Sequence, residues 1–300
     1  MNQRTRIAEM LILAVILCSV LVIGIVWGVY IFDNAAPAET EITTATEPSS
    51  QTENTESEES TTKAPPEEEK PKKMIALTFD DGPSAVYTHK ILDLLEQYDA
   101  KATFFVCGYQ LNASTKDELQ RAIALGCEIG NHTENHKSLP SLTATPEALV
   151  NQIRLTNEKI AQLSGTDYQC KVYRPPYGEV KREVAEILTA NGIYMHSVHW
   201  SSDSRDWEYK KNYADGKLTR KEAVQNTFDT VVSEASEGTV VLMHDIQSIT
   251  PDAVALILEK YTAEGYTFVT VSELFGFKEM QDGESYFKRY HSASRISSMS

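Results

Sequence analysis

Met74-Ile75-Ala76-Leu77-Thr78-Phe79-Asp80-Asp81-Gly82-Pro83 is where the 300-residue chain starts to look like a folded domain. A short apolar run of β type, 74–79, ends on two carboxylates and a Gly-Pro turn. Beyond it, such runs alternate with helical patterns, and further strands are expected at 102–107, 127–130, 171–174, 193–200, 239–244 and 268–271. Helices fill the intervals. Three have readable starts: Thr145 before Pro146, Thr219 with Glu222 as a capping box, and Thr250 before Pro251. Alternating strands and helices predict an α/β domain with a parallel sheet. About seven β/α units in roughly 200 residues point to a distorted, incomplete TIM-like (β/α) barrel rather than an open doubly wound sheet.

Upstream, residues 10–32 are almost wholly apolar, long enough to cross a hydrocarbon core of about 30 Å as a helix. Arg4 and Arg6 precede this run and no basic cluster follows it. Residues 1–9 are therefore expected in the cytoplasm and the rest of the chain outside, anchored by a single pass in the cell membrane. Ala36-Pro37-Ala38 resembles a signal-peptide cleavage site, but the apolar run is too long for a typical signal peptide, which favours an uncleaved anchor. Cys18 lies inside the run, away from a lipoprotein attachment position. Residues 33–73 are rich in Glu, Thr, Ser and Pro, lack aromatic residues and hold Ile42 as the one large aliphatic side chain. Such a segment buries too little surface to offset its ordering entropy and reads as a disordered acidic tether. Fully extended, about 40 residues reach roughly 130 Å. The domain is expected to run over 74–277, and the polar, Ser-rich stretch 278–300 to be weakly ordered.

The formal charge of −15, with Lys and Arg scattered, excludes a nucleic-acid binder, because no basic stripe is present to neutralise phosphates. Three cysteines lie outside the apolar run, at 107, 127 and 170. Their odd number argues against a disulfide framework, and their places in or beside expected strands suit buried, reduced side chains.

Several segments carry chemistry-bearing residues at expected strand ends. Asp80 and Asp81 close the first strand. Adjacent carboxylates there point in different directions, so one can bind a cation while the other faces a substrate. Alone, Asp-Asp-Gly-Pro is an ordinary solvated turn. Gly130-Asn131-His132-Thr133-Glu134-Asn135-His136 adds two histidines four residues apart, a spacing that brings two imidazoles onto one helical face. With Asp81 they make a ligand set that leaves positions open for water and substrate. Tyr173-Arg174-Pro175-Pro176-Tyr177-Gly178 builds a rigid loop, where a backbone N–H can face an oxyanion and Arg174 can orient a carboxylate. Trp200, Asp203, Asp206 and Trp207 follow. Last comes Leu242-Met243-His244-Asp245, whose histidine is placed to donate a proton and whose pKa a nearby carboxylate would raise. His89, His196, His199 and His291 are expected to be structural or solvated.

In this order and spacing the segments resemble the motifs of the NodB-homology polysaccharide deacetylases, carbohydrate esterase family 4, over about 74–277. No departure is seen at the metal-binding or acid/base positions. The resemblance implies that Asp80 is the general base, and that Asp81, His132 and His136 hold one divalent ion, zinc by preference, with cobalt or nickel as alternatives. It implies that Arg174 positions Asp80, Tyr177 supplies an oxyanion-hole N–H, Asp206 tunes the acid and His244 is that acid. Trp207, Leu242 and Pro175 would meet the substrate, the first two walling an acetyl pocket that the residues alone do not reveal. The expected substrate is peptidoglycan N-acetylglucosamine, acted on by an extracellular catalytic domain. Chitooligosaccharide, poly-N-acetylglucosamine and acetylxylan are alternatives. An inactive sugar-binding module would show a broken ligand set, and a purely structural tethered protein would need none. No protein partner is implied.

Overall fold

The computed structural model describes residues 73–179 and 181–278. The expected anchor at 10–32, the tether before Lys73 and the tail beyond Lys278 lie outside the described residues. Among the described residues no helix is long and apolar enough to cross a membrane.

Among the described residues eight strands form: β1 (Lys73–Asp80), β2 (Ala102–Val106), β3 (Glu128–Asn131), β4 (Val172–Tyr173), β5 (His196–Ser197), β6 (Ser202–Asp203), β7 (Val240–His244) and β8 (Tyr266–Phe268). Every pairing is parallel, and the order β5-β4-β3-β2-β1-β7-β6 leaves β5 and β6 at the two ends of the path. This is the expected incomplete barrel, with one more strand than the sequence predicts. β8 pairs with the first residues of β1, Lys73 to Ile75. The helices are α1 (Tyr87–Gln97), α2 (Lys116–Ala124), α3 (Pro146–Ser164), α4 (Arg182–Ala190), α5 (Asp206–Ala214), α6 (Arg220–Glu234), α7 (Thr250–Ala263) and α8 (Val271–Phe275).

The pleat of β1 sorts its side chains into two layers. Ile75, Leu77 and Phe79 pack outward on Ile91, Leu92 and Leu95 of α1 and on Val254, Ile257 and Leu258 of α7. Burying each such side chain is worth ~1.5–3 kcal/mol. Ala76 faces the other way, onto Phe105, Val172, Val198 and Val240 inside the barrel. Thr78 and Asp80 continue that inner row toward the C-terminal mouth of the strands. A strand buried on both faces needs the nearly continuous apolar run that made β1 legible.

Four local expectations are corrected. The run 193–200 pairs only at His196–Ser197. The run 268–271 ends as a strand at Phe268, because the Thr270 hydroxyl accepts from the Glu273 N–H, and Glu273 reaches back to form a capping box for α8. Pro146 opens α3, but the Thr145 hydroxyl bonds back to the Leu142 carbonyl at 3.3 Å instead of capping. Thr250 is the first residue of α7 rather than its cap, which is Ile249. The capping box of Thr219 and Glu222 forms as expected.

Cys107, Cys127 and Cys170 are all free thiols, the first two buried. Burial pushes the Cys127 thiol up to about 11 and raises those of Cys107 and Cys170 as well. Because the thiolate is the reactive form, labelling of the folded protein by a maleimide is expected to be slow at pH 7.5 and complete after denaturation. Fast labelling without unfolding, or a bridged pair by mass spectrometry, would contradict this.

Candidate active site

Asp80 and His244 are register partners at the C-terminal ends of the adjacent strands β1 and β7. Both belong to inner rows, so the sheet itself turns them toward the same mouth. Beneath them Arg174 fills the barrel with no solvent exposure. Its Nη1 donates to Asp80 Oδ1 and Thr78 Oγ1, each at 2.8 Å, while Nε and Nη2 donate to the carbonyls of Val198 (3.2 Å) and His199 (3.0 Å). Its guanidinium lies 4.2 Å from the ring centre of Phe105. Burial lowers the Arg174 pKa, and the Asp80 charge and hydrogen bond oppose that shift. A buried cation with this many partners fixes one carboxylate oxygen of Asp80 and leaves the other facing the mouth.

Asp81 leaves the strand with φ 74 and, like Asp80, whose Oδ2 lies 3.6 Å from His132 Nε2, it approaches the histidines. Its Oδ1 lies 3.6 Å from His132 Nε2 and 3.4 Å from His136 Nε2. The donor atoms of these residues all lie within 4.8 Å of one another. The His132 ring is oriented by its Nδ1, which donates to the Arg174 carbonyl at 2.7 Å and leaves the Nε2 lone pair for a cation. Burial, with the neighbouring His132, lowers the His136 pKa and favours the neutral ligand form. One carboxylate and two imidazoles fit a zinc-type divalent ion. Here the expected helical face is wrong. Residues 132–136 form a loop, and positive φ at Thr133 (70) and His136 (53) brings the rings to 5.0 Å between centres.

Asp206, wholly buried at the start of α5, accepts four hydrogen bonds: from His244 Nδ1 (2.7 Å), the His244 N–H (2.8 Å), the Trp207 N–H (2.8 Å) and Thr250 Oγ1 (2.6 Å). Burial lowers the His244 pKa, but the charge and hydrogen bond of Asp206, with Asp80 and Asp81 behind it, push it up to about 10. The imidazolium is the form present at neutral pH, with Nδ1 on Asp206.

Tyr177 (φ 61) turns the loop after β4 and sets its ring edge-on to His136, 4.7 Å between centres. Trp207 is half exposed beside the His244–Asp206 pair, whereas Leu242 is buried two residues before His244 on β7, and Pro175 is buried next to Arg174. Asp80, Asp81, His132, His136, Arg174, Tyr177, Asp206 and His244 are thus linked by direct contacts, while Trp207, Leu242 and Pro175 are their neighbours along the chain. His89, His196 and His199 lie outside the cation cluster, with Glu118, Phe277 and Ser197 as respective neighbours, and His291 lies outside the described residues.

Sequence reasoning missed two supporting residues. Thr250 looked like a helix cap but holds Asp206. Asp245 is buried, accepts from Thr88 Oγ1 at 2.5 Å, and is pushed by burial up to about 7. Its carboxyl packs against Gly82, where any Cβ would collide with it, so the turn after Asp81 requires glycine. No pattern short of the fold links residues 82 and 245.

A carboxylate beside cation-binding donors, faced by a carboxylate-paired imidazolium, is the equipment of a metal-assisted hydrolase. The sequence matches the family Polysaccharide deacetylase over residues 67–196. It is 36% identical over 209 residues to a peptidoglycan-N-acetylglucosamine deacetylase of Bacillus cereus, covering 69% of this chain and 90% of that protein. Identity to the Listeria monocytogenes peptidoglycan-N-acetylglucosamine deacetylase PgdA is 37% over 221 residues, 73% of this chain, which spans only 42% of that longer protein. Among solved structures, a family 4 acetyl xylan esterase from Clostridium thermocellum, in complex with a cobalt ion, superposes with a TM-score of 0.62 at 31% identity, covering 73% of this chain and 98% of that one. The chain belongs to the polysaccharide deacetylase family, carbohydrate esterase family 4.

Proposed function

We propose that this protein is a divalent-metal-dependent deacetylase that removes N-acetyl groups from N-acetylglucosamine units of cell-envelope polysaccharide, peptidoglycan above all. The observation that carries the reading is the pairing of Asp80 with His244 across two strands, next to the converging donors of Asp81, His132 and His136. The ion these three would hold, zinc by preference, supplies Lewis acidity toward the amide carbonyl and an acidified water. Asp80, one oxygen held by Arg174, takes the proton of the attacking water on the other. The Tyr177 N–H would steady the oxyanion. Trp207, Leu242 and Pro175 would bound the space for the acetyl methyl. His244 gives its Nε2 proton to the departing sugar nitrogen, because an amide anion is too poor a leaving group, and Asp206 holds the imidazolium in place. The products are acetate and an amino sugar.

The proposed setting follows from the sequence: an apolar anchor, an acidic tether and a domain outside the membrane, where peptidoglycan is the abundant N-acetylated polymer. The similarity to an acetyl xylan esterase keeps O-acetylated xylan as the second reading. Full-length protein loaded with zinc and given peptidoglycan, chitooligosaccharides and acetylxylan in parallel should release acetate fastest from peptidoglycan. Acetate from xylan alone would overturn the cell-wall assignment and leave the deacetylase chemistry standing.

A further inference from the structure

The histidine loop is held in a conformation that its own sequence does not favour. Thr133 and His136 both carry positive φ, which is disfavoured for residues with a Cβ and persists only where the surroundings fix it. Glu134, midway between the two histidines, forms an ion pair with Lys159 of α3 and accepts from Thr156 Oγ1 at 3.3 Å. Lys159 Nζ also donates to the Gly108 carbonyl at 3.0 Å. In turn the Gly108 N–H donates to the Thr133 carbonyl (3.0 Å) and the Tyr109 N–H to the Glu134 carbonyl (2.8 Å). One ammonium group thus ties three pieces of chain together: the histidine loop, the turn after β2 and the long helix α3. The fit is close, since a Cβ on Gly108 would fall on the Glu134 carboxylate and the Thr156 hydroxyl. The Glu134 and Lys159 side chains are 16% and 38% exposed. That partial shielding sets the pair apart from fully exposed ion pairs, which contribute little.

We propose that Glu134 and Lys159 are positioning residues for the cation site: their ion pair braces the 132–136 loop so that both histidine Nε2 atoms converge on Asp81. The inference rests on the metal-site reading given above. Neither residue belongs to the cation cluster. The brace acts through His132 and His136, as hydrogen-bonded supports do in metal sites generally, where their loss weakens metal affinity by ~10–100-fold.

The test is zinc binding to metal-stripped, full-length protein by titration calorimetry, with the melting temperature of each stripped protein measured alongside. Lys159→Met and Glu134→Gln are expected to weaken zinc binding by roughly ten-fold or more while the stripped proteins melt near the wild-type temperature. Lys159→Arg, which keeps the charge and the donors, should stay close to wild type. Lys159→Met binding zinc as tightly as wild type would overturn the brace. So would a loss of affinity that Lys159→Arg shares in full, or one accompanied by a matching loss of metal-free stability. Should folded wild-type protein fail to bind zinc, and bind no better than His132→Ala, the metal-site reading itself falls and the brace falls with it.

Discussion

Asp80→Asn protein is expected to keep its divalent ion and to lose roughly 10²- to 10⁴-fold in kcat, the range that general-base catalysis supplies. The substitution preserves shape and leaves an oxygen for Arg174, but an amide cannot take a proton from water at neutral pH. It also removes the charge facing a fully buried guanidinium. Breaking a buried ion pair costs about 3–5 kcal/mol when nothing replaces the partner. Here Thr78 and the carbonyls of Val198 and His199 remain as acceptors, so a lowered melting temperature short of unfolding is expected. Rate must therefore be measured on protein shown to be folded and metal-loaded. A kcat within tenfold of wild type would remove Asp80 from the role of base.

His244→Ala should cost a similar factor on an N-acetylated sugar, but far less on an activated acetyl ester, whose leaving group departs without a proton. Equal losses on both would contradict the acid role. Asp206 supplies a second test through pH. Because the His244 pKa is raised from 6.5 to about 10, its pairing with Asp206 stabilises the fold fully below about pH 6.5 and is lost as pH rises through about 10. The acid form needed for catalysis persists over the same range. Asp206→Asn weakens the imidazolium, so the alkaline limb of kcat/KM should move to lower pH. A limb that does not move would show that another group sets it.

The barrel was legible because parallel strands buried on both faces are nearly continuous apolar runs, as in β1, β2 and β7. β6 was not. Ser202-Asp203 is two polar residues long; it pairs with β7, and the Asp203 N–H donates to Glu234 of α6 at 3.2 Å. Capping chemistry had mixed value. Thr219 and Glu222 behaved as their spacing implies, whereas Thr250, read as a helix start from the Pro251 that follows it, sends its hydroxyl to a buried carboxylate 44 residues away in sequence. The histidine pair comes together by a geometry other than the expected one. A four-residue interval suits one helical face, yet the rings meet through a loop with two left-handed residues, held by Glu134, Lys159 and Gly108. Asp80 and His244, the proposed base and acid, close β1 and β7, where sequence marks them. Side chains that hold the site in place, Asp245 under Gly82 and Lys159 on α3, come from remote elements and become visible only when the chain is folded.

Dependence of deacetylation on one ion held by Asp81, His132 and His136 is the core of the proposed mechanism. It is tested most directly by stripping the full-length protein with a chelator, titrating zinc back, and following acetate released from peptidoglycan. Acetate release should be absent in stripped protein and should rise with added zinc to a plateau at one ion per chain, with no recovery in His132→Ala at the same zinc concentrations. Undiminished acetate release from protein shown to contain no metal would contradict the account.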